Sequence, residues 1–438
     1  MQKNDPKTIN AWCMYDWANS THSLVIVSGI FPVYFEETAV SFVKDGEKYV
    51  EFLGLTLKNS ALFTLSISVA FLIIACTSPI FSAIADFSGR KKLFMKMFCY
   101  LGAVSCVLLY FFTKENITFS TIIFILSLVG WGGSIVFYNS FLPEIVTEDR
   151  FDAVSARGFS MGYVGSVILM VFNLTMLLKP EWYGGISSAQ ACQIAFLTVG
   201  LWWAGFAQYP FAYLPNNTFN KMPSGSWIFN GFRELKKVLG TLNHLPALKQ
   251  FLLAYFFYNM GVQTVMYVAA IFAKIELKME GSSLIITVLI IQLVAILGAY
   301  LFAKLSQKVG NIKALMSITV IWMVICIGAY LVTKEGQFYA LATLVGMVMG
   351  GIQSLSRSTY AKLIPANTQD NASYFSFFDV TDKTSTVIGT LLFGIIDQIT
   401  NMRNSVLMLL FLFVIGFVLL WRFPAKKTLG VAMPESHN

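Results

Sequence analysis

Three carboxylates, a lysine and a histidine sit where the sequence is otherwise too apolar to hold them. Asp16 lies in Tyr15-Asp16-Trp17-Ala18-Asn19-Ser20-Thr21-His22, inside an apolar run from about residue 11 to residue 35, and Asp379, Asp382 and Lys383 lie in another such run. At the centre of a membrane span an Asp or Lys costs about 3 kcal/mol on insertion scales, so it faces a cavity, a partner or an ion path. Asn19 and Ser20 follow Asp16 by three and four residues and share its helix face. An acid with amide and hydroxyl neighbours can bind an ammonium group, or take up a proton where apolar surroundings disfavour the anion. It can equally close an ion pair that locks a helix end. His22, near mid-span, either relays protons or sits neutral in a hydrogen bond to a neighbouring helix.

Asp379 and Lys383 are four residues apart with the acid first, the better order for an intrahelical pair. Such a pair either neutralises itself or opens when a proton or solute competes for one member, which would couple binding to conformational change. Asp382 points elsewhere around the helix, and the expected partner is Arg357 near the end of the preceding span. Tyr138, Asn139, Asn259, Gln263, Gln292 and Gln353 are polar residues in spans that can line a central cavity or tie helix to helix.

The elements that must position these groups are membrane spans. Of 438 residues, 56% are hydrophobic and 12% charged, with 39 Phe and a mean hydropathy of +0.66, which excludes a water-soluble core. The first apolar run is too long for a signal-peptide core, so the first span itself directs insertion. Spans are predicted over 11–36, 59–85, 93–113, 117–142, 158–178, 192–214, 248–273, 282–304, 313–333, 338–360, 372–397 and 405–422. With the N-terminus cytoplasmic, about 21 Lys/Arg fall on the cytoplasmic side and about 9 outside, with Lys383 buried. The net charge of +8 therefore reads as topology rather than nucleic-acid binding, with both termini cytoplasmic and an even number of spans.

The six cysteines all fall in predicted spans and read as packing residues. No metal-ligand spacing, nucleophile elbow, phosphate loop or dinucleotide fingerprint is found, so neither an enzyme nor a cofactor is expected. Transport against a gradient must then draw on an ion or a solute gradient. One proton crossing about 100 mV supplies about 2.3 kcal/mol, enough for a roughly fifty-fold solute gradient.

The chain divides into residues 1–214, a polar connector over 215–247, and residues 248–438. In the connector, Ile228, Phe232, Leu235, Leu239 and Leu242 recur at helical spacing with Arg233, Lys236 and Lys237 opposite, which predicts either an amphipathic helix on the cytoplasmic leaflet or a solvated linker helix. The outer parts echo one another. The turn Asp86-Phe-Ser-Gly89-Arg90-Lys91-Lys92 has a counterpart in Gln307-Lys308-Val-Gly310-Asn-Ile-Lys313, and Gly132-Gly133 with Pro143 matches Gly350-Gly351 with Pro365. Such order fits two six-helix halves related by an axis along the membrane normal. Asp86 can accept from the N-terminus of an apposed helix, while Gly89, Arg90 and Lys91 complete a basic turn that meets lipid headgroups or carboxylates. That turn is either topogenic only or a gate that holds the cytoplasmic side shut.

Ser82 to Lys92 resembles the loop signature of the major facilitator superfamily, with Ser82 and Phe87 replacing a Gly and an Arg. The stretches 15–26, 140–145, 155–165, 251–265, 353–365 and 374–394 resemble the "unknown major facilitator" permeases, relatives of the fungal vacuolar amino-acid effluxer linked to autophagy. Met260, Asp382 and Thr390 stand where those relatives often carry Asp, Gly and Pro. The resemblance implies an all-α protein of about twelve transmembrane helices in two pseudo-symmetric six-helix bundles, in the cell membrane, moving a small polar organic solute by alternating access. An amino acid is the first solute implied, with efflux as a direction and protons as coupling partner. Two other readings stay open: a lipid translocase, and a non-transporting membrane sensor with a collapsed centre.

Overall fold

The computed structural model describes residues 3–44, 47–216, 236, 240–241, 244–279, 281–366 and 368–424. The amphipathic-helix candidate over 228–242 falls almost wholly outside the described residues. Helix α1 (Pro6–Thr21) starts where Asp5 accepts from the Thr8 N–H at 2.9 Å, with Pro6 at a position whose missing N–H breaks no bond. The apolar run does not continue as one α-helix, as the sequence suggested. From His22 to Gly29 the backbone winds as a π-helix, and the Ile30 N–H reaches back to the Val25 carbonyl before α2 (Ile30–Thr38) resumes. Gly29 permits this, since a Cβ there would lie 2.5 Å from the Leu24 carbonyl oxygen.

The expectation of an all-α chain is corrected by a small antiparallel sheet, β1 (Phe42–Lys44), β2 (Glu47–Phe52) and β3 (Leu55–Lys58). Leu53 and Gly54, both at positive φ, turn β2 into β3, the geometry that suits the right-handed twist of a two-residue hairpin.

The remaining helices are α3 (Asn59–Ser88), α4 (Lys91–Leu108), α5 (Ile117–Ser140), the single turn α6 (Leu142–Ile145), α7 (Phe151–Leu178) and α8 (Ser188–Tyr213). After the connector follow α9 (Pro246–Glu276), α10 (Gly281–Val309), α11 (Asn311–Leu331), α12 (Glu335–Leu363), α13 (Asn371–Ile399) and α14 (Met402–Trp421). Among the described residues, 9 helices are long and apolar enough to cross a membrane. The first span is interrupted by its π-helical stretch, α8 is rich in Trp, Gln and Tyr, and α13 carries four charges, Asp379, Asp382, Lys383 and Asp397. Large apolar side chains such as Leu72, Leu297, Leu391 and Phe411 are exposed, which suits a lipid solvent and not water.

In the chain up to Tyr213, α1 packs on α7 and α8, α4 on α5 and α8, and α3 on α5. From Pro246 on, α10 packs on α12, α9 on α13 and α14, and α11 on α12 and α14. Two seams join these stretches: α7 against α10 and α12, and α13 against α3 and α5. The α10–α12 approach is close enough that a Cβ on Gly298 or Gly350 would enter the facing backbone.

Candidate functional site

Asp16 and Arg357 meet across the first seam. An Arg357 terminal nitrogen lies 3.1 Å from Asp16 Oδ2 and 3.3 Å from Asn139 Oδ1. Its Nε donates to Ser155 Oγ at 2.9 Å, and its other terminal nitrogen donates to the Ser155 carbonyl at 2.9 Å. The Tyr138 hydroxyl donates to the same Asp16 oxygen at 2.7 Å. Trp12 and Phe159 stack on the guanidinium at 4.6 and 4.1 Å, so a planar cation is held by hydrogen bonds at its edge and by rings on its faces. Gly158 makes room for this: a Cβ there would stand 2.6 Å from the Asp16 carboxylate and 3.0 Å from the guanidinium. Ser20, one turn on from Asp16, packs in the same way against Gly162 of α7. Asn19 is buried, and its amide nitrogen has no hydrogen-bond partner among the described residues.

Arg357 is therefore not the partner of Asp382, contrary to the sequence expectation. Arg357 sits on α12 facing α7 and, beyond it, α1, whereas Asp382 sits on α13 facing α9. Asp382 Oδ1 accepts from Tyr255 at 3.0 Å, Asn259 at 2.9 Å and Gln263 at 3.0 Å. These residues are four apart and form one stripe of α9. Asp382 Oδ2 takes Lys383 Nζ at 2.8 Å, shorter than the 3.5 Å from that ammonium to Asp379 Oδ1. The i,i+4 pair read from sequence is thus the longer of two. Across the second seam the Lys383 ammonium lies 5.2 Å from the centre of Phe71 and 4.9 Å from that of Trp131. Asp382 keeps 15% of its side chain exposed, against 6% for Asp379 and 5% for Lys383.

His22 joins neither cluster. Its Nε2 lies 3.1 Å from Ser127 Oγ, its ring stacks on Trp131 at 5.9 Å, and Trp203 lies at 5.8 Å. Among the described residues no acid or base hydrogen-bonds to it. Gln353 Oε1 accepts from Tyr163 at 2.6 Å and so ties α12 to α7.

At the end of the molecule that carries the α3–α4 turn, Asp86 accepts from the backbone N–H groups of Ala372 at 3.1 Å and Ser373 at 2.7 Å. A carboxylate there satisfies two orphan donors and the positive end of α13. Lys91 lies 3.0 Å from Asp86 and also pairs with Glu144. Gly89 closes α3 at φ 68°, a conformation in which a Cβ is strained. Arg90 forms no ion pair among the described residues, so Lys91 is the cation that closes this contact.

A reciprocal contact was not foreseen. Near the start of α7, Asp152 accepts from Lys362 at 2.7 Å, Ser306 at 2.9 Å and Asn311 at 2.7 Å. Asn311 belongs to the counterpart turn read from sequence, so the echo extends to what each turn grips in the other stretch. Tyr255, Ser155 and Glu144 were also missed as site residues. The four-residue spacing Tyr255-Asn259-Gln263 could have revealed the first, and the other two lie in stretches that carry the family resemblance.

Residues 4–431 match the family model described as "Vacuole effluxer Atg22 like". The chain is 31% identical to an uncharacterised major-facilitator-type transporter of Bacillus subtilis, over 100% of this chain and 99% of that one. It is 29% identical to Autophagy-related protein 22 of Kluyveromyces lactis, over 81% of this chain and 77% of that one. Its fold is shared with a bacterial homologue of the iron transporter ferroportin in an outward-facing state, at a TM-score of 0.67 and 10% identity, covering 96% of this chain and 99% of that one. The proton:xylose symporter structure gives a TM-score of 0.69 at 11% identity, covering 96% of each chain.

Proposed function

Because the chain belongs to the vacuole effluxer Atg22-like family, and is an integral, multi-pass transporter of the major facilitator type rather than an enzyme, we propose that it moves a small zwitterionic solute, an amino acid, by alternating access coupled to protons. The observation that carries this reading is the α9–α13 cluster. Asp379 and Asp382 face one ammonium, so the cluster has a formal charge of −1 in the core of a membrane protein. It offers Lys383 for a carboxylate and Asp382 for an ammonium, the two charges of an amino acid, with Asn259 and Gln263 to orient them. The family's description as effluxers supports export as the direction.

In this reading the twelve long elements form two six-helix bundles, 1–214 and 248–438, joined by the 215–247 linker, and the solute binds between them. The end that carries Asp86, Lys91, Glu144, Asp152 and Lys362 is cytoplasmic, as are both termini, and the conformation described is sealed on that side. The Asp86 and Asp152 contacts are the seal and must break when the cytoplasmic side opens. Asp16 with Arg357, and Asn139 beside them, form a joint between the bundles rather than the solute contact.

The test is uptake or counterflow in proteoliposomes across a panel of the common amino acids, with and without a pH gradient. At least one is expected to accumulate only with the gradient. If none moves in either condition, the reading fails.

A further inference from the structure

Asp379 and Asp382 lie within one turn of α13 and share a lysine, yet their oxygens are satisfied very unequally. Asp382 has three donors on Oδ1 and the ammonium on Oδ2, full occupancy for an ionised carboxylate. Asp379 Oδ1 has only the 3.5 Å approach of Lys383, and its Oδ2 is buried with no hydrogen-bond partner among the described residues. A buried carboxylate oxygen without a donor is costly as an anion and acceptable as the oxygen of a neutral acid.

The surroundings point the same way. On α13 the charged neighbours of Asp379 are Lys383 and Asp382. From α9 come the Tyr255 hydroxyl, which donates to Asp382, and Tyr267 near the lysine. From α3 and α5 come the Phe71 and Trp131 rings, and α14 presents no ionisable contact to Asp379 among the described residues. With Asp379 neutral the cluster balances as one acid against one ammonium.

We infer that Asp379 is the proton carrier of the transport cycle, and that Lys383 is a two-position switch between the carboxylates. This rests on the transporter reading above. When an O–H bond forms on Asp379, Lys383 stays with Asp382, the arrangement seen here. When Asp379 gives up that proton to water, its anion competes for the ammonium. Lys383 then moves from Asp382, whose Oδ2 becomes free for the ammonium of a solute. Proton release and solute binding are thereby exchanged at a single side chain, with no change in covalent structure beyond the O–H bond.

Two measurements test this. In infrared difference spectra of the purified wild-type protein across a pH step, a carboxylic-acid carbonyl band should appear and vanish. It should be lost in Asp379→Asn and kept in Asp382→Asn, and this readout needs no solute. Persistence of the band in Asp379→Asn overturns the assignment. In proteoliposomes Asp379→Asn, which holds Lys383 on Asp382, should lose both solute counterflow and gradient-driven accumulation, and Asp379→Glu should restore both. Counterflow or accumulation at the wild-type rate in Asp379→Asn overturns the inference, and so does a loss that Asp379→Glu does not restore. Failure of the wild type to move any panel member would instead count against the transporter reading, leaving the infrared result to decide the proton site.

Discussion

The clusters around Arg357 and Lys383 are built on different plans. At Arg357 one cation meets one anion, Nε and both terminal nitrogens find acceptors, and the partners come from α1, α5 and α7 across a seam. At Lys383 one cation serves two anions, and among the described residues a carboxylate oxygen has no partner and the hydrogen bonds and ion pairs come from α9 and α13. Across its own seam that cluster faces the rings of Phe71 and Trp131. A balanced, saturated pair resists change and serves as a joint. An unbalanced, unsaturated group can accept another charge, and its ring contacts let the facing helices slide without breaking hydrogen bonds.

The sharpest way to break this comparison is to remove each cation in turn. Arg357→Met leaves Asp16 buried without its counter-charge, which should cost about 3–5 kcal/mol of stability. Lys383→Met should lower the melting temperature of the detergent-purified protein by less, because Asp379 and Asp382 can take up protons, but should abolish transport. Equal losses of stability would show that both clusters are structural. Asp16→Asn together with Arg357→Met should recover much of the stability that Arg357→Met loses alone.

Asp86→Ala removes the acceptor for two backbone N–H groups and a lysine, contacts worth about 1.5–3 kcal/mol each when charged. Ser373 is buried behind Asp86, so alkylation of Ser373→Cys should run at least roughly tenfold faster in that background. An unchanged rate would remove Asp86 from the seal. Gly158→Ala should cost about 1–3 kcal/mol by pressing a methyl group on the Asp16 carboxylate, seen as a lower melting temperature with solute specificity retained. The smallest change should come from Gln353→Ala, which deletes one interhelical hydrogen bond from Tyr163, about 0.6 kcal/mol.

Much of this was legible in the sequence because burial of charge in lipid leaves few options. Asp16, Asp379, Asp382 and Lys383 stood out as misplaced, and Asp86 was read as a carboxylate facing a helix N-terminus, where Ala372 and Ser373 now place it. Asn259 and Gln263 were read only as polar residues in a span, and the face of α9 that they share turns out to meet Asp382. What spacing along one helix cannot supply is which helix lies opposite. Arg357 was assigned to Asp382 for that reason, although its true acid lies 341 residues away in sequence. The π-helical stretch after Thr21 was hidden for a different reason. Its residues are as apolar as those of an α-helical span, and only the i−5 hydrogen bonds distinguish it. His22, at its start, was read either as a relay or as a neutral residue hydrogen-bonded to a neighbouring helix, and its contacts with Ser127 and Trp131 of α5 and Trp203 of α8 fit the second.

The central claim is that solute enters at the Lys383 cluster and not at the Arg357 joint. Gln263 is half-buried, beside Asp382, and a cysteine in its place in an otherwise cysteine-free protein can be tested with a membrane-impermeant maleimide from either side. The account predicts labelling from the side opposite the Asp86 end, slowed by whichever amino acid the proteoliposome panel shows to be carried. Labelling that this amino acid leaves unchanged, in protein that still transports it, would contradict the account.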